Sequence, residues 1–234
     1  GIAVIDPRGD LDMRKRAGKL QVLRDDLAAH PMPDGTTGIG HTRWATHGGP
    51  TDANAHPHLA DDGKLAVIHN GIIENFAELK AELAAEGHVF ESQTDTEVVA
   101  HLLDQTLSKG AAPLDAFKAT LDRLTGAYAL AVLIDGTDDL ILGARRGSPL
   151  VVGWGEDEMY LGSDALALAQ LTQRIAYLEE GDWCVLTRAG VDTVVHMGVI
   201  ATPLGAGGRA DALFPARPAP RCGSCDVRRH CPEG

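Results

Sequence analysis

No run of apolar residues in this 234-residue chain approaches the length of a membrane span, and no basic-then-apolar opening resembles a signal peptide. A surplus of positive charge is also missing. Lys and Arg number 21 against 33 Asp and Glu, a formal net charge of −12. That balance argues against nucleic acid or an anionic membrane as a general partner. There is no GxGxxG after a strand and no P-loop, so nucleotide binding through those folds has no support. No internal repeat is present. What remains is an ordinary soluble composition, 44% hydrophobic and 23% charged. It is long enough for one sizeable core and is expected in the cytoplasm.

Cysteine is scarce. Cys184, in the apolar run "DWCVLT", reads as a buried structural thiol, and Cys222, Cys225 and Cys231 crowd the last thirteen residues. The chain also has no initiator Met. It opens on Gly1 with "GIAVIDP", already inside a β-rich apolar run, and reads as a fragment cut through a strand rather than as a processed terminus.

The residues present set out a mixed order of elements. Residues 2 to 6 read as a strand, and the spacing of Leu20, Leu23 and Leu27 predicts a helix running from Leu11 to about Leu27. "TTGIGHTRWAT" is extended, and the Gly- and Pro-rich stretch to His58 is irregular. "KLAVIHNGII" reads as a short buried strand that breaks at Asn70-Gly71, a strong turn signal. Phe76, Leu79 and Leu83 mark a helix ending near Gly87, "TDTEVVAHLLDQTL" starts a second, and Leu114, Phe117, Leu121 and Leu124 give a third. Then the period changes to "AYALAVLID", "DLILGARR", "LVVGWG" and "EMYLGSD", successive strands, with a short helix at "ALALAQL" before "DWCVLT". Hairpins rather than regular βαβ alternation favour an α+β fold with antiparallel sheets and helices packed outside them.

One loop concentrates recognition groups. In "GHTRWATHGGP", Arg43 offers a planar fork of donors suited to a carboxylate, Thr42, Thr46 and the glycine amides suit an anion, and Trp44 supplies a flat wall. The competing reading is a surface loop whose threonines serve turn chemistry. His41, His47, His56 and His58 crowd the same region, but no second ligand pair with recognisable spacing follows. No metal and no cofactor is therefore expected, and loop histidines that fix backbone geometry are the better account. Asn70-Gly71 is either an ordinary turn or a pair of adjacent donors fit for an oxyanion hole. Asp95 either caps a helix or accepts a substrate ammonium group. An Arg for a carboxylate and an Asp for an ammonium would together recognise an α-amino acid.

"GIGHTRWATHGGPTDANAHPH", "VIHNGIIEN" and "TDTEVVAHL" closely resemble the glutaminase domains of the glutamine–fructose-6-phosphate transaminase (isomerising) family, the glucosamine-6-phosphate synthases. "RRGSPLVVG", "SDALAL" and "EEGDW" carry the same resemblance, which runs from Gly1 to about Arg188. These are class II, N-terminal-nucleophile amidotransferases. The resemblance implies an N-terminal-nucleophile hydrolase fold, two antiparallel sheets stacked between helical layers, over residues 1–197. It implies Arg43 as the clamp on the glutamine α-carboxylate, helped by Thr46 and His47, with Asp95 on the α-ammonium. It further implies Asn70 and Gly71 as the oxyanion hole, Trp44 at the site facing the ammonia path, and His56 near the site. Ammonia released from glutamine through a γ-glutamyl thioester would pass to fructose 6-phosphate on a sugar isomerase domain, giving glucosamine 6-phosphate for amino-sugar polymers. Family members usually associate as homo-oligomers through that second domain.

Two departures stand out. The family's nucleophile is a cysteine at the mature N-terminus, its own amino group serving as base, and none of the four cysteines matches it. Residues 1–234 are therefore expected to lack turnover, and without the strand preceding Gly1 to have marginal stability. The alternative reading is a non-catalytic amino-acid-binding module that keeps the clamp. After about residue 190 the resemblance is lost, and from about residue 198 the sequence turns Gly-, Ala-, Pro- and Arg-rich. Cys222-x-x-Cys225 with His230 and Cys231 suggests a zinc knuckle, but no apolar residues surround it to form a small core. A divergent or disordered tail is the reading adopted.

Overall fold

The computed structural model describes residues 1–43, 48–137 and 139–194. Strand β1 (Ile2–Ile5) is the middle of a three-stranded antiparallel sheet, between β2 (Leu11–Arg14) and β3 (Thr37–Gly40). Strand β2 replaces the helix expected from Leu11. The turn residues before it reverse the chain, because the Asp6 carboxylate accepts from the backbone N–H groups of Arg8 and Asp10 at 2.8 and 3.0 Å. Gly9 meanwhile takes a φ of +90°. Leu11 and Met13 then alternate towards the core, as a strand requires. The helix proper, α1 (Leu20–Ala29), begins only after Gly18.

A six-stranded sheet forms the centre, in the order β12 (Gly190–Val194), β11 (Trp183–Thr187), β7 (Ile141–Arg146), β6 (Gly126–Ile134), β5 (Leu65–Ile73) and β4 (His58–Leu59). All its ladders are antiparallel. Side chains alternate across it. Leu65, Val67, Leu130, Val132 and Ile134 pack with the helices α2 (Phe76–Ala85), α3 (Glu97–Ser108) and α4 (Pro113–Arg123). Ala66, Ala131 and Leu133 pack instead on Ala3, Ile5 and Ile39 of the first sheet. Phe117 of α4 is fully buried in the helical interface, a burial that contributes about 2–3 kcal/mol. A third sheet sets β8 (Val151–Trp154) between β9 (Met159–Gly162) and β10 (Arg174–Tyr177), with the short helix α5 (Ala165–Leu168) against β9. The expected α+β architecture of stacked antiparallel sheets with outer helices is the one observed.

Strand β5 differs from its expected form. It does not break at Asn70-Gly71. Its ladder with β6 runs from Leu65↔Ile134 to Ile73↔Gly126 and passes through Asn70↔Ala129 and Gly71↔Tyr128. Gly71 adopts a φ of +122°, and a Cβ placed there would lie 2.0 Å from the Ala127 carbonyl oxygen. The glycine serves close approach of two strands, not a reversal. Among the described residues no helix is long and apolar enough to cross a membrane. The tail from residue 198, with its cysteines and His230, lies outside the described residues.

Candidate active site

A cavity of about 310 Å³ opens where three segments meet: the loop leaving β3, the middle of β5 and the residues just before α3. Arg43, Asn70, Gly71, Asp95 and His56 all line it, so five of the residues singled out in the sequence are brought together. Trp44, Thr46 and His47 lie outside the described residues.

Arg43 is held by its own loop. Its Nη1 donates to the Gly49 carbonyl at 3.0 Å and its Nη2 to the Gly48 carbonyl at 3.2 Å. Burial pulls the guanidinium down from its ordinary pKa, and the charge of Asp95 pulls the other way. Asp95 is buried, and its Oδ2 accepts from the backbone N–H of Ile73 at 2.8 Å. Helix α3 starts at Glu97 behind Thr96, which makes no side-chain cap bond. The carboxylate of Asp95 is thus tied to the end of β5 rather than spent on the helix terminus.

Asn54 joins these two charges, and nothing in the sequence singled it out. Its Nδ2 donates to Gly49 O at 3.0 Å and Gln93 Oε1 at 3.2 Å, while its Oδ1 accepts from Gln93 N at 2.9 Å. The Gly49 carbonyl therefore receives both Arg43 and Asn54. The side chain is almost fully buried. Asn54→Ala should lower stability by about 2–3 kcal/mol, since several bonds go and buried partners stay unpaired, and should weaken ligand binding as the loop loosens. Equilibrium urea denaturation reads the first effect, and a loss under about 0.5 kcal/mol, within the range of ordinary surface substitutions, would remove Asn54 from this role.

Behind the charges lies a group of buried imidazoles. His41 stacks on His56 with centroids 4.4 Å apart and planes at 23°. His56 Nδ1 accepts from His69 N at 3.3 Å, which leaves its proton on Nε2, 3.4 Å from Thr96 Oγ1. That same hydroxyl is 3.0 Å from His69 Nδ1, and His58 Nε2 meets Thr94 Oγ1 at 3.1 Å. Burial holds these rings neutral: His69 is pushed down to about 4, His58 to about 3, and His56 further still. His56 and His58 act as hydrogen-bond groups towards the threonines. His69 and Thr96 escaped the sequence reading because "TDTE" signalled only a helix start.

His41 Nε2 and Asn70 Oδ1 lie 2.8 Å apart. The amide oxygen accepts, and the side-chain Nδ2 of Asn70 has no protein partner among the described residues. Next to it, the φ of Gly71 gives the strand a local backbone shape closed to other residues. Cys184, the only cysteine among the described residues, is fully buried on β11 opposite Gly143, and burial pushes its thiol far above the ordinary range. It has no access to the cavity and no tendency to ionise.

Residues 41–170 match the model of a glutamine amidotransferase domain. The glutamine–fructose-6-phosphate aminotransferase (isomerizing) of Caulobacter vibrioides is 66% identical over 178 residues, which are 76% of this chain and 29% of that protein. Its counterpart in Gluconobacter oxydans is 56% identical over 187 residues, 80% of this chain and 30% of that protein. The chain thus spans under a third of the length of the curated relatives it matches. Among solved structures, the glutamine phosphoribosylpyrophosphate amidotransferase of B. subtilis, complexed with ADP and GMP, superposes with a TM-score of 0.70 at 27% identity, covering 85% of this chain and 43% of that one.

Proposed function

The chain belongs to the glutamine amidotransferase domain family, and we propose that its cavity holds L-glutamine for an enzyme that passes ammonia to fructose 6-phosphate. The observation that carries the proposal is the pairing of Arg43 and Asp95 on one small cavity, tied together through Asn54 and Gln93. A guanidinium and a carboxylate lining one small cavity suit the two charges of an α-amino acid. Demanding both excludes simple amides, because an analogue lacking either group leaves Arg43 or Asp95 without its ligand partner.

On this reading Arg43 takes the α-carboxylate, with Thr46 and His47 completing the clamp and Trp44 forming the wall towards the acceptor. Asp95 takes the α-ammonium through the carboxylate that Ile73 N–H already orients. The side-chain amide of glutamine then reaches Asn70 and Gly71. The uncommitted N–H of Asn70 and the backbone N–H of Gly71 stabilise the oxyanion that forms when the amide carbon is attacked. His56, held neutral, supports His41 and through it the orientation of Asn70. The acceptor sugar would bind on a second domain, and the assembled enzyme would be a cytoplasmic homo-oligomer, a phosphorylated sugar being an intracellular metabolite.

The attack needs a thiolate, and Cys184 does not supply one. Its burial favours a second reading in which the described residues bind an amino acid without cleaving it. Titration calorimetry with L-glutamine tests the common part. One site is expected, with about 10–150-fold weaker binding in Arg43→Ala, the loss of one or two charge-assisted hydrogen bonds. Equal affinity in both proteins would take Arg43 out of the site. Glutamate release above background in the same samples would exclude the binding-only reading.

A further inference from the structure

On the helical side of the central sheet, outside the lining of the glutamine cavity, three side chains from separate segments converge. Asp61 sits in the turn between β4 and β5, His88 follows α2, and His101 lies on α3. One ligand atom from each falls within 4.8 Å of the others. His88 Nδ1 is 2.7 Å and His101 Nδ1 3.6 Å from the same oxygen, Asp61 Oδ2. We infer that Asp61, His88 and His101 bind a divalent transition-metal ion, with zinc the best match.

His101 carries the inference. It is 1% exposed, yet neither of its ring nitrogens has a hydrogen-bond partner among the described residues. Buried polar atoms are nearly always satisfied, so such a ring calls for a missing ligand. Its orientation is fixed by the Phe90 ring, edge to face at 4.5 Å. With Nδ1 towards Asp61 and His88, its Nε2 points to Glu97 Oε1, 3.8 Å away. Glu97 is itself held in place: Oε1 accepts from the backbone N–H of Glu91 at 2.8 Å, and Oε2 from the backbone N–H of Ser92 at 2.8 Å and the Ser92 hydroxyl at 2.6 Å. A fixed carboxylate behind the far nitrogen of a histidine is the usual outer support of a metal-bound imidazole.

The donor set selects the ion. Two imidazoles and one carboxylate suit zinc and its neighbours, whereas calcium and magnesium prefer oxygen throughout. With bonds of about 2.1 Å, two ligands of a tetrahedral zinc stand about 3.4 Å apart, so on binding the 2.7 Å His88–Asp61 pair would open and the wider spacings, up to 4.8 Å, would close. Further negative charge surrounds it. Asp104, one turn along α3 from His101, and Asp62, next to Asp61, add carboxylates to the neighbourhood. Asp61 and His88 remain partly exposed, which gives an ion access from solvent. The sequence pointed elsewhere, to His41 and its neighbours, because the three ligands share no short-range spacing. Bound metal would fasten the turn at Asp61 to the helix whose leading residues, Asp95 and Thr96, line the cavity. The inference does not depend on the glutamine reading.

Cobalt and zinc titrations of the full chain test it, in a Cys222→Ser/Cys225→Ser/Cys231→Ser background that removes the tail thiols. Expected is one equivalent of Co2+ with visible d–d bands and no sulfur charge-transfer band, displaced by Zn2+. Zinc should also raise the Tm by several degrees. Asp61→Asn and His88→Gln, both partly exposed and checked for folding by circular dichroism, should each weaken binding more than about 10-fold, at least the loss seen for outer-shell partners. No binding up to millimolar zinc, or unchanged stoichiometry and affinity in both variants, would overturn the assignment.

Discussion

Replacing Gly71 with alanine is expected to destabilise the protein by about 2–6 kcal/mol, the sum of about 1–3 kcal/mol for a backbone conformation closed to alanine and a similar cost for overpacking. The φ of +122° is one part. The other is steric: the added methyl would stand 2.0 Å from the Ala127 carbonyl oxygen and 2.9 Å from Ser148 Oγ. Backbone lies on the near side, so no rotamer change relieves the clash. The strand must move, and Asn70 moves with it. Loss of most glutamine affinity is therefore expected even where the variant stays folded. Urea denaturation with calorimetry on the surviving fraction separates the two effects. A stability change below about 1 kcal/mol, no more than an average substitution, would show that β5 yields at this point.

Acid should unfold the protein earlier than its carboxylates would. Unfolded imidazoles titrate near 6.5, whereas folded His69 titrates at about 4, His58 at about 3 and His56 lower, all through burial. Well above pH 6.5 both states leave these rings neutral and stability is full. Below it the unfolded chain takes up protons that the folded chain refuses, so stability falls as pH falls until each folded pKa is reached. From pH 7 to 5 each ring contributes a loss of about 2 kcal/mol, or about 6 kcal/mol for three. That rivals the whole stability of many domains. Glu97, held at about 2, adds its own loss only below about 4.5. Denaturation midpoints at pH 7, 6 and 5 should drop steadily, and His58→Gln should flatten the slope by about a third. Equal midpoints at pH 7 and 5 would mean that the rings are protonated in the folded state.

Long amphipathic segments were legible in the sequence. Phe76, Leu79 and Leu83, and Leu114, Phe117 and Leu121, place α2 and α4 because burial on one face enforces the helical period. Short elements were less so. Leu11–Arg14 is four residues long, and its strand character comes from pairing with β1 and from the Asp6 turn, neither of which is a local pattern. Strands β10 and β12 carry no spacing signal that sets them apart. Asn70-Gly71 has the composition of a hairpin, yet the glycine is needed because β6 lies against it. At the site, the charged residues were visible from chemical type, and the residues that hold them were not. Asn54, His69 and Thr96 act through contacts separated by 27 to 40 positions in the chain, and His101 joins Asp61 across a similar gap.

The carbonyl of Gly49, shared by Arg43 and Asn54, turns the loop from residue 48 to 54 into a gauge. One end of the gauge is the guanidinium, and the other, through Gln93, is the segment bearing Asp95. The spacing of the two charges then depends on this loop as well as on the charged residues themselves. A relative with one residue more between Gly49 and Asn54 would keep every recognition group and still measure a different ligand. Ligand preference in such a protein can drift by insertion alone, with the motif that announces the site left untouched.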